Sequence, residues 1–384
     1  MILLHGIIHT MTGEIIKDGY IQIKGSVIVQ VGRCNTLRNI DDERIDLNGS
    51  FVYPGFIDAH THLGMFEDGL NFEGDDGNED TDPITPHLRA LDAINPLDRC
   101  FTEALEGGIT TAITGPGSAN PISGQIAAVK TYGRCIDRMV VKAPLAIKMS
   151  LGENPKSVYR EKSQSPVTRM ATVALIREQL YKAKRYAEEK LRSQKDDECD
   201  EPEYDLKCES LLPVLSGKMQ VHFHAHRADD IFTAIRIAKE FHLDYVIVHG
   251  TEAHMIAEDL KAEGVRVFSG PFLSDRSKPE LKNLTPKSPG ILMNSGIQTA
   301  IVTDHPVIPL QYLHMCAGLA VREGADYEQA LKAITIEPAR ICGIDKRVGS
   351  IEAGKDADLV VFETDPLLLA SKPSMVFVDG IRRV

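Results

Sequence analysis

Thirteen histidines are spread along this 384-residue chain, and a few of them sit where a strand would hold them still. His60 and His62 stand two residues apart in Gly55-Phe56-Ile57-Asp58-Ala59-His60-Thr61-His62. Side chains alternate faces along a β-strand, so this spacing presents two imidazoles on one side at the end of an apolar run. Such a pair holds a divalent metal on a rigid backbone, and a metal needs further ligands from other strand ends. His222 and His224 lie in Gln220-Val221-His222-Phe223-His224-Ala225-His226. His249 closes Tyr245-Val246-Ile247-Val248-His249, and Asp304 closes Ala300-Ile301-Val302-Thr303-Asp304. One buried histidine is ordinarily a core side chain bonded to backbone. Four strand ends carrying His or Asp are a poor coincidence.

The elements that must position these residues alternate short apolar strands with amphipathic helices, the pattern of a parallel α/β architecture. Strands are predicted at Phe56–His60, Thr110–Thr114, Ile126–Val129, Leu145–Met149, Gln220–His224, Tyr245–His249, Val265–Phe268 and Thr299–Asp304. Eight such strands suit a (β/α)8 TIM barrel, whose active sites lie at the C-terminal strand ends. Between the third and fourth strands, Tyr132–Pro144 is too short and irregular for a helix. The two chain ends are β-rich and punctuated by Gly, Asp and Pro, and neither is long enough to bury a sheet alone. The expected organisation is therefore a barrel over 53–344 and a small composite β-sandwich domain built from 1–52 and 345–384.

Two segments exceed a minimal barrel. Ala171–Arg192 reads as a long charged helix and is followed by the acidic stretch Gln194–Glu209, both expected to face solvent. Glu67–Asp82, rich in Asp, Glu, Gly and Asn directly after His62, is expected as a surface loop or as a lid over the site. Thr114–Gln125 follows the second strand and lacks the Gly-Lys-Ser/Thr start of a phosphate loop. It is expected to line the substrate pocket, with Asn120 and Gln125 as candidate contacts. His254, just past His249, and His305, beside Asp304, are candidates for substrate contact or for support of the ligands.

Composition narrows the function classes. At 43% hydrophobic and 26% charged the chain is ordinary for a globular protein, and its core needs no disulfide staples. Seven cysteines without a Cys-x-x-Cys pair fit a reducing compartment. No secretory signal is read at the start, and no run approaches the roughly 18 apolar residues that span a bilayer. A net charge of -12 without a basic stripe argues against nucleic acid and anionic membranes as partners. A cytoplasmic location and a small-molecule substrate are the expectations, and exposed barrel helices are compatible with a homo-oligomer.

Longer stretches resemble a known family. Val52-Tyr53-Pro54-Gly55-Phe56-Ile57-Asp58-Ala59-His60-Thr61-His62 resembles the first-strand signature of the amidohydrolase superfamily. The group in question contains imidazolonepropionases, dihydroorotases, hydantoinases and amidohydrolase-type prolidases. Thr335-Ile336-Glu337-Pro338-Ala339 and Gly349-Ser350-Ile351-Glu352-Ala353-Gly354-Lys355-Asp356-Ala357-Asp358-Leu359-Val360 resemble its C-terminal segment. The resemblance covers nearly the whole chain. It implies His60 and His62 as first-strand metal ligands, His224 as the fifth-strand ligand, His249 as the sixth-strand ligand and Asp304 as ligand and proton shuttle. It leaves His226 as a substrate contact, with His249 or His226 polarising the substrate carbonyl. Binuclear members bridge two ions with a carbamylated lysine or a glutamate; Lys148 at the end of the fourth strand is favoured here, and Glu153 is the alternative.

The implied cofactor is one or two divalent ions, Zn²⁺ before Mn²⁺ or Fe²⁺. The implied reaction is hydrolysis of an amide-like or cyclic-amide C–N bond. A mononuclear heterocycle deaminase and a non-catalytic binding paralogue are the competing readings. The second predicts missing ligands, and none is missing.

Overall fold

The computed structural model describes residues 1–37, 42–196 and 198–384; Asp197 of the acidic stretch and residues 38–41 of the N-terminal segment lie outside that description. The N-terminal strands are β1 (Ile2–His9), β2 (Ile15–Lys24), β3 (Val27–Arg33), β4 (Arg44–Asp46) and β5 (Phe51–Pro54). The central ones are β6 (Phe56–Thr61), β7 (Ile109–Thr114), β8 (Ile122–Lys130), β9 (Val140–Ser150), β10 (Gln220–Ala225), β11 (Tyr245–His249), β12 (Val267–Ser269) and β13 (Thr299–Ile301). The chain closes with β14 (Leu359–Phe362), β15 (Met375–Val378) and β16 (Ile381–Arg382).

Strands β6 to β13 form one eight-stranded sheet in sequence order, curled until its edges nearly meet. Closure runs through the site residues themselves. Asp304 N donates to the His60 carbonyl at 3.2 Å, and His62 N donates to the His305 carbonyl at 2.8 Å. Behind them Asp58 of β6, fully buried, accepts from Thr303 Oγ1 at 2.6 Å and from Thr303 N at 3.1 Å. All eight predicted strands are present. One runs the other way: β8 is antiparallel to both β7 and β9, where a regular (β/α)8 barrel would be parallel throughout. The reason is the connections. β7, β8 and β9 follow one another through short loops without a helix, and a parallel return needs a crossover of a dozen or more residues.

Alternation along each strand divides the apolar side chains. Ile147, Val221, Phe223 and Ile247 pack outward against Ile176, Leu180, Leu211, Ile231 and Ile235 of the surrounding helices. Ala146, Val246, Val248, Phe268 and Ala300 belong to a different cluster shared among the strands. The helix Arg169–Ser193 contributes a buried stripe and ion-pairs much of the rest, as in Arg177–Glu240 and Lys182–Asp205. No helix among the described residues is long and apolar enough to cross a membrane.

Strands from both chain ends share the second sheet, ordered β16-β15-β14-β5-β1-β2-β3 with β4 beside β1. Two devices fasten it to the barrel. Gly55 carries the chain from β5 into β6 so close to Thr110 that a Cβ there would fall 2.0 Å from Thr110 Oγ1. Lys130, buried at the end of β8, pairs with Asp356 at 2.9 Å and with Asp358 and Asp379, so the Gly-Lys-Asp-Ala-Asp tail is a clamp on a barrel lysine. Removing one partner of such a buried group leaves an uncompensated charge. Lys130→Ala is expected to cost about 3–5 kcal/mol of unfolding free energy in a denaturant titration. A loss near zero would show that the clamp does not hold the two sheets together.

Candidate metal centre

The C-terminal mouth of the barrel gathers six of the residues singled out above: His60, His62, Lys148, His224, His249 and Asp304. All six side chains are buried or nearly so. His60 Nε2 and His62 Nε2 lie 3.2 and 3.4 Å from the same oxygen of Asp304. Ligand atoms of His60, His249 and Asp304 form one group within 4.8 Å of one another, and those of His224, His226 and His249 form another. His249 belongs to both.

Backbone carbonyls fix which ring nitrogens face inward. A carbonyl only accepts, so His62 Nδ1 donates to Gly115 O at 2.7 Å and His249 Nδ1 donates to Gly270 O at 2.8 Å. Each Nε2 then carries a lone pair, and each points at the cluster. Gly270 makes this possible, because its φ is 145° and an added Cβ would fall 2.1 Å from the Val302 carbonyl oxygen. His249 and Asp304 themselves adopt positive φ, 74° and 57°. For residues with a Cβ that conformation costs on the order of 1–3 kcal/mol each, and such strain concentrates at functional sites.

Charge states follow from burial. Desolvation pushes His60, His224 and His226 well below the ordinary histidine range and His249 down to about 4, so these rings are neutral, the form that ligates metals. Burial alone would raise Asp304, but the charged form of His249 and hydrogen bonds from His60 and His62 would hold it well below the usual carboxylate range, so a proton added to the cluster goes to a ring before it goes to Asp304. Lys148, fully enclosed, is pushed down to about 8 by burial, and its Nζ lies 3.1 Å from His60 Nε2. Several lone pairs and a carboxylate thus converge with too few protons to bond one another, and this donor set fits a divalent cation.

Other expected residues lie elsewhere. His222 is the register partner of Lys148 across β9 and β10, with its ring edge-on to Phe268 and both nitrogens without a hydrogen-bond partner. Glu153 opens the helix Glu153–Glu161 and lines a separate cavity with Lys156, Arg160 and Arg169. His305 uses its ring to accept from Leu310 N, and half-buried His254 sits in the turn Ala253–Ile256. Gln125 lies on β8, where its backbone joins Leu88.

Asn120 is bonded on both sides of its amide. It donates to Glu79 O at 2.6 Å and Thr85 Oγ1 at 3.0 Å, and accepts from Tyr159 at 2.6 Å. In this way it ties the acidic loop down rather than facing a ligand.

The cavity over the histidines has a volume of about 390 Å³. Phe66, Asn78, Ser118, Asn154, Lys278 and Val307 line it beside His62, His224, His226 and Asp304. The acidic loop therefore reaches the cavity through Asn78 at its far end, and it is pinned outside by Lys162–Asp80 and Lys207–Asp82. Ser118 lies in the Thr114–Gln125 segment expected to line the pocket, while Lys278, Glu280 and Asn154 were missed by sequence reasoning. Lys278 sits on a loop, Glu280 on the short turn Pro279–Leu281 and Asn154 in the first turn of the helix Glu153–Glu161, and no strand-end pattern marks them.

Residues 51–383 match the model of the Amidohydrolase family. The chain belongs to that family, whose enzymes act on carbon–nitrogen bonds. It is similar to the crystal structure of an amidohydrolase from Thermotoga maritima MSB8, with a TM-score of 0.96 and 43% identity covering 99% of this chain and 98% of that one. It is 30% identical to the amidohydrolase tasK of Hapsidospora irregularis over 94% of this chain, and spans only 39% of that protein's length. An imidazolonepropionase from Picrophilus torridus is 25% identical, over 97% of this chain and 94% of its own.

The Asn120 bonding pattern separates a structural role from a substrate contact. Leaving its buried partners unsatisfied costs about 1–3 kcal/mol, so Asn120→Ala is expected to lower the melting temperature measurably. An unchanged melting temperature would return Asn120 to the substrate pocket.

Proposed function

We propose that this chain is a metal-dependent amidohydrolase that opens an amide-like or cyclic-amide C–N bond in a small substrate. One observation carries the reading: two groups of buried, neutral imidazoles share His249, and an ionised Asp304 and the fully enclosed Lys148 lie between their strands. His60, His62 and Asp304 would hold one divalent ion, and His224 and His249 a second, with Lys148 as the bridging residue in its carbamylated form. Zn²⁺ suits imidazole and carboxylate ligands best, ahead of Mn²⁺ and Fe²⁺. Such an ion supplies Lewis acidity, polarising the carbonyl and bringing the pKa of water from 15.7 to roughly 7.

Asp304 has the reach and the charge to accept the proton of the attacking water and to return it to the leaving nitrogen. Its strained backbone and its contacts with His60 and His62 hold it toward the reacting centre. Phe66, Pro271 and Val307 close the cavity walls around the substrate, and the volume of about 390 Å³ limits that substrate to a small molecule. Names among the relatives support the same bond class, since both amidohydrolases and imidazolonepropionases occur. The mononuclear deaminase reading gives Lys148 no task, and for that reason we set it second.

Purified protein is expected to contain divalent metal and to turn over part of a panel of N-acyl amino acids, cyclic imides and dipeptides. Asp304→Asn should lower kcat by on the order of a hundred- to ten-thousand-fold on the best substrate; activity untouched by that change would sink the mechanism. Lys148→Ala should lose one of two bound ions in elemental analysis. A variant that still holds both would remove Lys148 from the bridge.

A further inference from the structure

Glu280 is a carboxylate enclosed at the mouth of the barrel, 1% exposed, on the short turn Pro279–Leu281. Its Oε1 stands 3.5 Å from His226 Nε2 and 3.8 Å from His224 Nε2. Those distances are too long for N–H···O hydrogen bonds, which run about 2.7–3.2 Å. They approach the spacing of neighbouring ligands on one ion: bonds of about 2.0–2.2 Å place tetrahedral ligand atoms about 3.3–3.6 Å apart. The His62–Asp304 contact at the first cluster, 3.4 Å, falls in the same range, and the His60–Asp304 contact, 3.2 Å, lies just below it.

The rest of the Glu280 environment points the same way. Its Oε2 accepts from Glu153 N at 3.1 Å, so the carboxylate is anchored on one oxygen. The other oxygen has no hydrogen bond: Lys278 Nζ is 2.7 Å away but off the direction one requires. A cation therefore already stands beside Oε1, supplied by a side chain that also reaches Asn154 Oδ1 at 3.0 Å. On the histidine side, His226 is held by Thr251 Oγ1 at 2.7 Å through Nδ1, which turns Nε2 toward Glu280. His224 Nε2 has only Asn154 Nδ2 at 3.4 Å, and its Nδ1 has no partner.

We propose that Glu280 is the carboxylate ligand of the second metal, joining His224 and His226, with His249 offering that ion its one free ring nitrogen, Nε2. His226 is then a metal ligand instead of a substrate contact. Lys278 is the counter-ion that Glu280 keeps while the metal is absent, and metal binding frees its ammonium to face the cavity. This assignment rests on reading the histidine clusters as metal sites.

The experiment is zinc occupancy at buffered free zinc, measured by elemental analysis and by competition with a chromophoric chelator. It uses the full-length wild type, Glu280→Gln, Glu280→Asp and His226→Asn. Melting curves of the metal-free proteins check folding, and the isosteric Gln is the primary variant because the site is buried. Wild type is expected to hold two zinc ions. Glu280→Gln and His226→Asn should each weaken the second ion by more than about 100-fold, beyond the 10–100-fold typical of groups that only orient a ligand, and leave the first unchanged. Glu280→Asp should recover part of the loss.

If the Gln variant holds both ions within threefold of wild type, Glu280 is no ligand, and the hydrolase reading stands. If wild type itself holds no zinc, that reading falls as well.

Discussion

Burial of a cluster of imidazoles dictates the rest of the molecule. Five histidine rings and one carboxylate occupy the mouth of a barrel where each is almost sealed from water. In three of them, His62, His249 and His226, backbone carbonyls and a threonine take up the outward nitrogen and leave the inward one for the cluster. Such a group is costly in an apolar interior unless something positive enters it. The barrel absorbs that cost through extensive packing elsewhere, through left-handed backbone at His249 and Asp304, and through a glycine at 270 that lets a carbonyl reach His249.

Sharing His249 between two clusters gives the site a direction. On one side Asp304, His60 and His62 meet at a single carboxylate oxygen, next to the hydrogen bonds that close the barrel. On the other side His224 and His226 turn toward the loop that carries Lys278 and Glu280. The first half is made of strand ends and is rigid by construction. The second borrows from a loop, so chemical identity and loop geometry can change there without disturbing closure. In a family whose members act on different amide-like bonds, variation has room in that half.

Much of this was legible in the residues. Each of the eight barrel strands could be read from a short apolar run, and His60, His62, His224, His249, Asp304 and Lys148 were legible because strand ends converge in a barrel. The direction of β8 was not. An apolar run looks the same in either orientation, and only the absence of a helix on both sides of it hinted at a hairpin. Asn120 and Gln125 were drawn toward the pocket by their place in a glycine-rich loop, yet the Asn120 amide is bonded to the acidic loop and to Tyr159. Glu280 and Lys278 gave no signal, since a Ser-Lys-Pro-Glu loop has no periodicity and its partners lie more than fifty residues upstream.

The Lys130 clamp has a consequence for how the chain comes to be made. Its partner Asp358 is 228 residues away. While the ribosome is still building the later strands, the β7–β9 hairpins can assemble, but the ammonium at the end of β8 has no carboxylate to meet. The same holds for β5, whose antiparallel neighbour β14 lies beyond the last barrel strand. Without the segment that carries Asp358 and β14, the barrel has a cation at its base and an open sheet edge beside it, so its base is complete only when these distant parts of the chain have met.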